Sequence, residues 1–234
     1  MVRPAKPDDA ELMEGLTREA QVRHGASGPM VPSAETFRGM LERDELISYV
    51  ADDGFVVYEL SDGAVTVEHL VAGSVESAAA LWGIVGSGSS AAPTVHTYLD
   101  PRDPVTLAVG GMAASEVRQT PWMGRVVDLA AAFGARGFAA HAAVEAALVV
   151  DDTEAPVNSG AWTLSVAARR GTATCDEAAD ASALRVGARG LSALWCGWSV
   201  SRLRQAGLAS GGSPDGDAAL DAVFASTPYI TEYF

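Results

Sequence analysis

The sequence predicts an α+β protein in which a mixed unit of helices and strands is followed by a second sheet covered by helices. Two patterns point to this fold class. Over residues 1–127, apolar residues at helical spacing alternate with short β-branched runs, and over residues 128–234 strand-like runs precede helical ones. The chain has 234 residues, 48% of them hydrophobic, which is enough to build two cores. We therefore predict two domains, 1–127 and 128–234.

The first domain is predicted to begin with a helix. Acidic residues follow Pro7, and Leu12, Leu16 and Ala20 then recur at helical spacing until the Gly- and Pro-rich segment 25–33. Asp-Gly pairs at 53–54 and 62–63 predict the turns between the next strands. Further along we expect a helix over 34–46, strands over 47–51, 55–60 and 65–71, a helix over 76–85, and strands over 94–98, 105–109 and 122–127.

The second domain is predicted to be an antiparallel sheet covered by helices. Asp128 is the expected N-cap of its first helix. We expect strands over 146–150, 162–166, 172–175 and 183–186, and then helices from 188, over 200–206 and over 218–224. Trp195 and Trp198 lie at helical spacing, which favours core packing, with the wall of a lipid cavity as the alternative.

Charge and composition exclude several classes of function. The formal net charge of -14 disfavours nucleic acid and anionic membranes and favours cationic small molecules, although solubility alone is the better explanation of such a charge. No apolar run reaches the roughly 18 residues of a membrane span, and the start has no secretory signal, so we expect a cytoplasmic protein. Cys175 and Cys196 are isolated and are predicted to be buried thiols that form no metal site or disulfide.

The element order of the first domain and its opening VRPAKPDD, residues 2–9, resemble the GNAT acyltransferase fold. In that fold, R/Q-x-x-G-x-G/A before the long helix binds the pyrophosphate of acyl-CoA through backbone N–H groups. Here residues 71–77 read VAGSVES, without the spaced glycines or the Arg or Gln, and Glu76 would repel phosphate. We therefore expect that this chain alone binds no cofactor.

Five segments resemble the Eis (enhanced intracellular survival) family of aminoglycoside N-acetyltransferases, in matching order and spacing. They are VEHLVA (67–72), WMGRVVDLAAAF (122–133), NSGAWTL (158–164), LSALWCGWS (191–199) and LDAVF (220–224). The resemblance covers the C-terminal two thirds of such a protein and implies a degenerate GNAT-like domain followed by a domain similar to sterol carrier proteins. The first GNAT domain of the family, which binds acetyl-CoA, is then expected on a partner chain or missing.

The resemblance also implies a set of site residues. Phe234 matches the family's chain end, whose carboxylate is the catalytic base for the amine, and Trp122 matches a tryptophan of the substrate pocket. Glu232 would attract a cationic amine, and Tyr233 would give the terminal carboxylate an apolar neighbour. A frayed terminus and a core role for Trp122 are the structural alternatives.

The resulting hypothesis is an Eis-like N-acetyltransferase component that acts on an aminoglycoside-like or lysine-like amine. It would supply the substrate pocket and the terminal base, and it would be inactive without a separate acetyl-CoA-binding GNAT domain. One alternative is a non-catalytic carrier of a lipid or other apolar ligand. Another is a structural subunit, because the family assembles into oligomers and a homo-oligomer is expected here.

Overall fold

The chain divides into two units, each built on a five-stranded sheet. The computed structural model describes residues 1–24, 26–88, 90, 92–100, 102–108, 116–139, 142–176 and 183–231. The first unit comprises Met1–His24, Pro29–Glu116 and Tyr229–Phe234, and the second comprises Gly25–Gly28 and Val117–Pro228. The units thus divide near residue 117, and the domain boundary between residues 127 and 128 stays a prediction.

The described helices and strands alternate along both units. The helices are α1 (Ala10–His24), α2 (Ala34–Leu41), α3 (Val75–Gly86), α4 (Val105–Ala108), α5 (Leu129–Ala135), α6 (Ala188–Trp195), α7 (Val200–Gln205) and α8 (Pro214–Phe224). The strands are β1 (Arg3–Pro4), β2 (Ala26–Ser27), β3 (Leu46–Ala51), β4 (Gly54–Ser61), β5 (Ala64–Ala72), β6 (Thr94–Thr97), β7 (Val144–Asp151), β8 (Gly160–Ala167), β9 (Arg170–Asp176), β10 (Leu184–Gly187), β11 (Ala209–Gly211) and β12 (Thr227–Pro228).

The sheet of the first unit has the order β1-β3-β4-β5-β6 and is antiparallel except for the pair β5 and β6. Helix α3 packs on one face through Leu81 and Val85, while α1 and α2 pack on the other through Met13 and Phe37. The pairing of β4 with β5 shifts by one residue, so Glu68 is the extra residue of a β-bulge. Each face of the sheet therefore has its own core.

The sheet of the second unit has the order β11-β10-β7-β8-β9 and buries one face under α5, α6, α7 and α8. Alternate residues of β7, β8 and β10, including Leu148, Leu164 and Leu184, point into this core because side chains alternate along a strand. Strands β10 and β7 are parallel. The predicted helix-covered sheet is present, but it is mixed and not wholly antiparallel.

The α+β fold class predicted from the sequence is confirmed. Most predicted elements are present with small shifts at their ends, and Asp128 is the N-cap of α5, since its side chain accepts a hydrogen bond from the Ala131 N–H at 2.9 Å. The strand predicted over 105–109 is wrong over 105–108, and Val109 lies outside the described residues. Asp103 accepts from the Val105 N–H at 2.8 Å, and Pro104 precedes α4, so this segment starts a helical turn.

The strand predicted over 122–127 is also wrong, because side chains take the backbone groups that a neighbouring strand would need. The amide side chain of Asn158 donates to the Val126 carbonyl at 2.9 Å. The Val126 N–H donates to the Ser192 hydroxyl at 3.4 Å. With these groups paired, the segment runs as an irregular chain over the second unit.

No helix of the described residues has both the length and the apolar character that crossing a membrane requires. The longest, α1, has fifteen residues and carries charged side chains along its length. The finding concerns helices in the part of the chain that the structure covers.

Replacing Gly190 by alanine should destabilise the second unit by about 2 kcal/mol. A Cβ atom at this buried position of α6 would overlap the Leu208 carbonyl oxygen and lie 3.0 Å from Val186 Cβ. The clash outweighs the gain of up to about 1 kcal/mol that alanine brings to a helix. Urea unfolding followed by tryptophan fluorescence measures the change.

Gly134→Ala is the matched control for this substitution. Gly134 also lies in a helix of the second unit, but an added Cβ would meet nothing within 4 Å. It should leave stability unchanged or raise it by less than about 1 kcal/mol. Equal effects of the two substitutions would contradict the close packing of α6 against Leu208.

Candidate functional site

The turn between β3 and β4 reaches the N-terminus of α3, where the sequence suggested a lost phosphate site. Ser74, the N-cap of α3, donates its hydroxyl to Asp53 Oδ1 at 3.0 Å, and the Ser77 hydroxyl donates to the same oxygen. The Gly73 N–H donates to the Asp53 backbone carbonyl at 2.8 Å. A carboxylate therefore lies at the positive end of the α3 dipole.

The close approach of this turn requires two glycines. A Cβ at Gly73 would lie 2.8 Å from Asp53 Oδ2, and one at Gly54 would lie 2.5 Å from the Val71 carbonyl oxygen. The hydrogen bond from Ser77 lowers the pKa of Asp53, burial opposes this, and the bond from Ser74 adds to the lowering. Asp53 is consequently negative at neutral pH.

A cavity of about 230 Å³ opens in the second unit beside Trp122, whose side chain is 37% exposed. The ring of Trp122 packs on the backbone of Gly124, where a Cβ would lie 3.0 Å from the ring edge. The wall combines two aromatic rings, a cation, a hydroxyl and a thiol, contributed by Gly28, Trp122, Gly124, Arg125, Val126, Ser192, Trp195 and Cys196.

A buried polar network fixes the segment that forms one wall of this cavity. Arg125 forms an ion pair with Asp152 at 2.7 Å, and the Asp152 side chain is 1% exposed. Asn158, which is fully buried, accepts from the Leu129 N–H at 2.8 Å and donates to Asp152 at 3.2 Å. Burial raises the pKa of Asp152, but hydrogen bonds from Asn158 and the Ala155 N–H outweigh it and leave the pKa lowered.

Arg136 is a half-buried cation that contacts Trp195, a residue of the same cavity wall. Its guanidinium donates to the carbonyls of Trp195 at 2.9 Å and Phe224 at 3.3 Å, which are the last residues of α6 and α8. It also lies 4.8 Å from the ring centre of Trp195. Burial lowers the pKa of Arg136 to about 10, so the group stays charged at neutral pH.

The two cysteines differ from the expectation that both are buried. Cys175 on β9 is exposed, and Cys196 is half-buried at the cavity wall. Burial raises the pKa of Cys196, although the positive charge of Arg136 opposes this, so its thiol is neutral at physiological pH. Within the described ranges, His, Cys, Asp and Glu side chains form no cluster able to hold a metal ion.

A second cavity of the second unit, of about 350 Å³, has several charged groups in its lining. It lies where the parallel strands β7 and β10 end and α6 begins, and it is lined by charged side chains that include Asp151, Glu154 and Arg189. This lining does not suit an apolar ligand.

The structure describes some of the predicted site residues and not others. Trp122 lines the smaller cavity, and its substrate role stays a prediction. Phe234, Glu232 and Tyr233 lie outside the described residues. Trp195 is half-buried against the core, but Trp198 is 57% exposed, so the core prediction for Trp198 is wrong. Helix α6 ends at Trp195, and Gly197, with φ of 81°, turns the chain away.

Sequence reasoning missed Asp53, Arg125 and Arg136. Asp53 stood in an Asp-Gly pair, whose ordinary interpretation is a turn, and its contact with Ser77 spans 24 positions. Arg125 and Arg136 are single arginines without a motif, and their partners are distant in sequence. The sequence signal for Arg125 and Arg136 was their proximity along the chain to Trp122, since Trp122 and Arg125 precede α5 and Arg136 follows it.

Two domain families match successive parts of the chain. Residues 35–126 match the acetyltransferase (GNAT) domain, and residues 129–231 match the sterol carrier protein domain. The first match contains α3 and the Asp53 turn, and the second contains the helix-covered sheet. The chain thus contains, in order, a segment similar to the GNAT domain and a segment similar to the sterol carrier protein domain.

Particular solved structures share this combination over the full length of the chain. A GCN5-related N-acetyltransferase from Kribbella flavida is 43% identical, with a TM-score of 0.94 over 100% of this chain and 60% of that chain. A GCN5-related N-acetyltransferase from Anabaena variabilis is 20% identical (TM-score 0.81), and Eis1 from Mycobacterium abscessus is 23% identical (TM-score 0.69). Each of these two alignments covers 100% of this chain and 62% of the other, and they establish the fold alone.

The chain therefore spans about 60% of the length of these three solved structures. None of the curated proteins matches the chain significantly.

Proposed function

We propose that this chain is part of a GCN5-related N-acetyltransferase and contributes the acceptor side of the reaction, while another GNAT domain binds acetyl-CoA. The observation that carries this proposal is the Asp53 carboxylate at the N-terminus of α3. The 43% identity to the Kribbella flavida N-acetyltransferase supports the reaction class. The share of that relative outside the alignment leaves room for a further domain.

The residues at the β5–α3 junction do not fit a pyrophosphate. A helix N-terminus binds phosphate because its free N–H groups and dipole attract negative charge. Here the Gly73 N–H and the hydroxyls of Ser74 and Ser77 already bind Asp53. A pyrophosphate would have to displace those contacts and approach a carboxylate of the same charge sign.

On this proposal the acceptor is a cationic amine, aminoglycoside-like or lysine-like. Before it attacks the thioester carbonyl, its ammonium group must lose a proton, and the terminal carboxylate of Phe234 would accept that proton. Glu232 and the net charge of -14 would favour a cation, and Trp122 and Tyr233 would line the binding site. A partner GNAT chain, homo-oligomer formation and a cytoplasmic location belong to the same proposal.

Acetyl-CoA should show no binding heat when it is titrated into the purified chain alone. The reason is the repulsion and the occupied donors at the α3 N-terminus. Isothermal titration calorimetry at low salt tests this prediction. Micromolar binding by the chain alone would overturn the assignment of acetyl-CoA to another domain.

Acetyl transfer should appear when the chain is combined with the part of the Kribbella flavida relative that lies outside the alignment. The assay follows the release of the CoA thiol with an aminoglycoside or a lysine peptide as acceptor. Activity in the mixture and none in either component supports the proposal. A folded mixture without transfer to any amine contradicts it.

A carrier of apolar ligands is less well supported. The two described cavities of the second unit have volumes of about 230 and 350 Å³, and the larger one is lined by charged groups. Pockets for drug-sized ligands span about 300–1,000 Å³ and are mostly apolar. Native mass spectrometry of protein purified from cells tests this alternative, and a retained lipid would favour it.

A further inference from the structure

We infer that Asp53 acts as an internal anion that closes the acyl-CoA site of this GNAT domain. The inference deepens the proposed function and rests on it. The proposed function requires only that acyl-CoA does not bind here. The further step assigns that exclusion to one side chain and implies that donors able to bind an anion remain at the junction.

The donors around Asp53 are those that a phosphate oxygen would need. Two hydroxyls, from Ser74 and Ser77, point at the same carboxylate oxygen, and the residue before the Ser74 N-cap is a glycine that permits close approach. The twelve-residue helix α3 adds the positive end of its dipole. The junction thus binds an anion already, and this anion belongs to the chain itself.

Glu76, to which the sequence analysis attributes the repulsion of phosphate, is less suited to this role. It lies in the first turn of α3, but it is exposed, so solvent screens its charge. Asp53 lies inside the junction, within hydrogen-bond distance of the Ser74 hydroxyl. The exclusion therefore depends on the carboxylate at residue 53 and not on the missing glycines alone.

Asp53→Ala should create anion binding at this junction. Inorganic pyrophosphate and CoA are titrated into the full chain by calorimetry at low salt. The variant should bind pyrophosphate about tenfold more tightly than the wild-type chain, because the Ser74 and Ser77 hydroxyls lose their internal partner at the positive end of the α3 dipole. The variant should also bind CoA more tightly than the wild-type chain does. The Gly73 N–H still donates to the backbone carbonyl of residue 53 in both proteins.

Asp52→Ala is the matched control, because it removes the same charge from the neighbouring residue of the turn. Asp52 is 85% exposed and pairs with the N-terminal amine, away from Ser74 and Ser77. It should bind pyrophosphate like the wild-type chain. Equal binding by Asp53→Ala and Asp52→Ala would overturn the inference, since it would reduce the effect to net charge.

A neutral isostere covers the case in which Asp53→Ala does not fold. Asp53→Asn keeps an oxygen that accepts from both serines and removes only the charge, so its pyrophosphate affinity should lie between those of the wild type and Asp53→Ala. Variants that fold and bind no better than the wild type overturn the inference and leave the proposed function standing. Acetyl-CoA binding by the wild-type chain overturns the proposed function itself.

Discussion

Deletion of Phe234 should lower the rate of acetyl transfer by about 100-fold in the combined system of this chain and a cofactor-binding GNAT domain. General base catalysis contributes about 100- to 10,000-fold, and the deletion moves the terminal carboxylate back by one residue. A displacement of about 3.5 Å along the backbone is enough to take a base out of hydrogen-bond range of the amine. The loss should be in kcat, with a smaller change in the KM of the amine.

Phe234→Leu separates the carboxylate from the ring. This variant keeps a terminal carboxylate at the same position of the chain and an apolar side chain beside it. It should retain most of the activity if the carboxylate is the base. Equal losses in the deletion variant and in Phe234→Leu would assign the effect to the aromatic ring, and unchanged activity in both would refute a role for the chain end.

Asn158→Ala should lower the free energy of unfolding of the second unit by about 3 kcal/mol. The side chain is fully buried, accepts from the Leu129 N–H at 2.8 Å and donates to the Val126 carbonyl at 2.9 Å. Each buried backbone group left without a partner costs about 1–3 kcal/mol. Tryptophan fluorescence during urea unfolding reports this unit, because Trp82 is the one tryptophan of the five outside it.

Val157→Ala is the control for Asn158→Ala. Val157 is the preceding residue, and its side chain is 59% exposed, so the substitution should change stability by less than about 0.5 kcal/mol. In the Asn158 variant the cavity beside Trp122 should also widen, because the Val126 carbonyl loses the hydrogen bond that holds this part of the wall in place. An unfolding midpoint shared by the Asn158 and Val157 variants would contradict the structural role of the amide.

The elements that the sequence predicts well are those specified by neighbouring residues. Helix α3 has its N-cap and apolar face within one segment, and the Asp-Gly pairs at 53–54 and 62–63 mark the turns before β4 and β5. The strand prediction failed over 105–108 because Asp103 and Pro104 favour the start of a helical turn more strongly than valine and leucine favour a strand. The sequence shows that the two preferences compete, but it does not show which one determines the structure.

Contacts between distant residues could not be predicted. The irregular path at 122–127 depends on Asn158 and Ser192, which lie 32 and 66 positions from Val126. The Asp53 contact with Ser74 and Ser77 likewise joins a turn to a helix 21 and 24 positions away. The GNAT-like resemblance drew attention to the N-terminus of α3, and only the tertiary structure shows that Asp53 binds the serine hydroxyls there.

The environment of Arg136 has a consequence for the response of the second unit to acid and salt. Its negative partners are backbone carbonyls at the ends of α6 and α8 and the faces of aromatic rings. Carbonyls and rings cannot be protonated at moderate acidity, and salt screens a half-buried group less than an exposed one. Acidification removes the charge of Asp152 from the Arg125 pair once the pH falls through its lowered pKa. The junction of α6 with α8 should therefore outlast the Arg125 segment, and hydrogen exchange at low pH would show the amides around Val126 opening before those of α8.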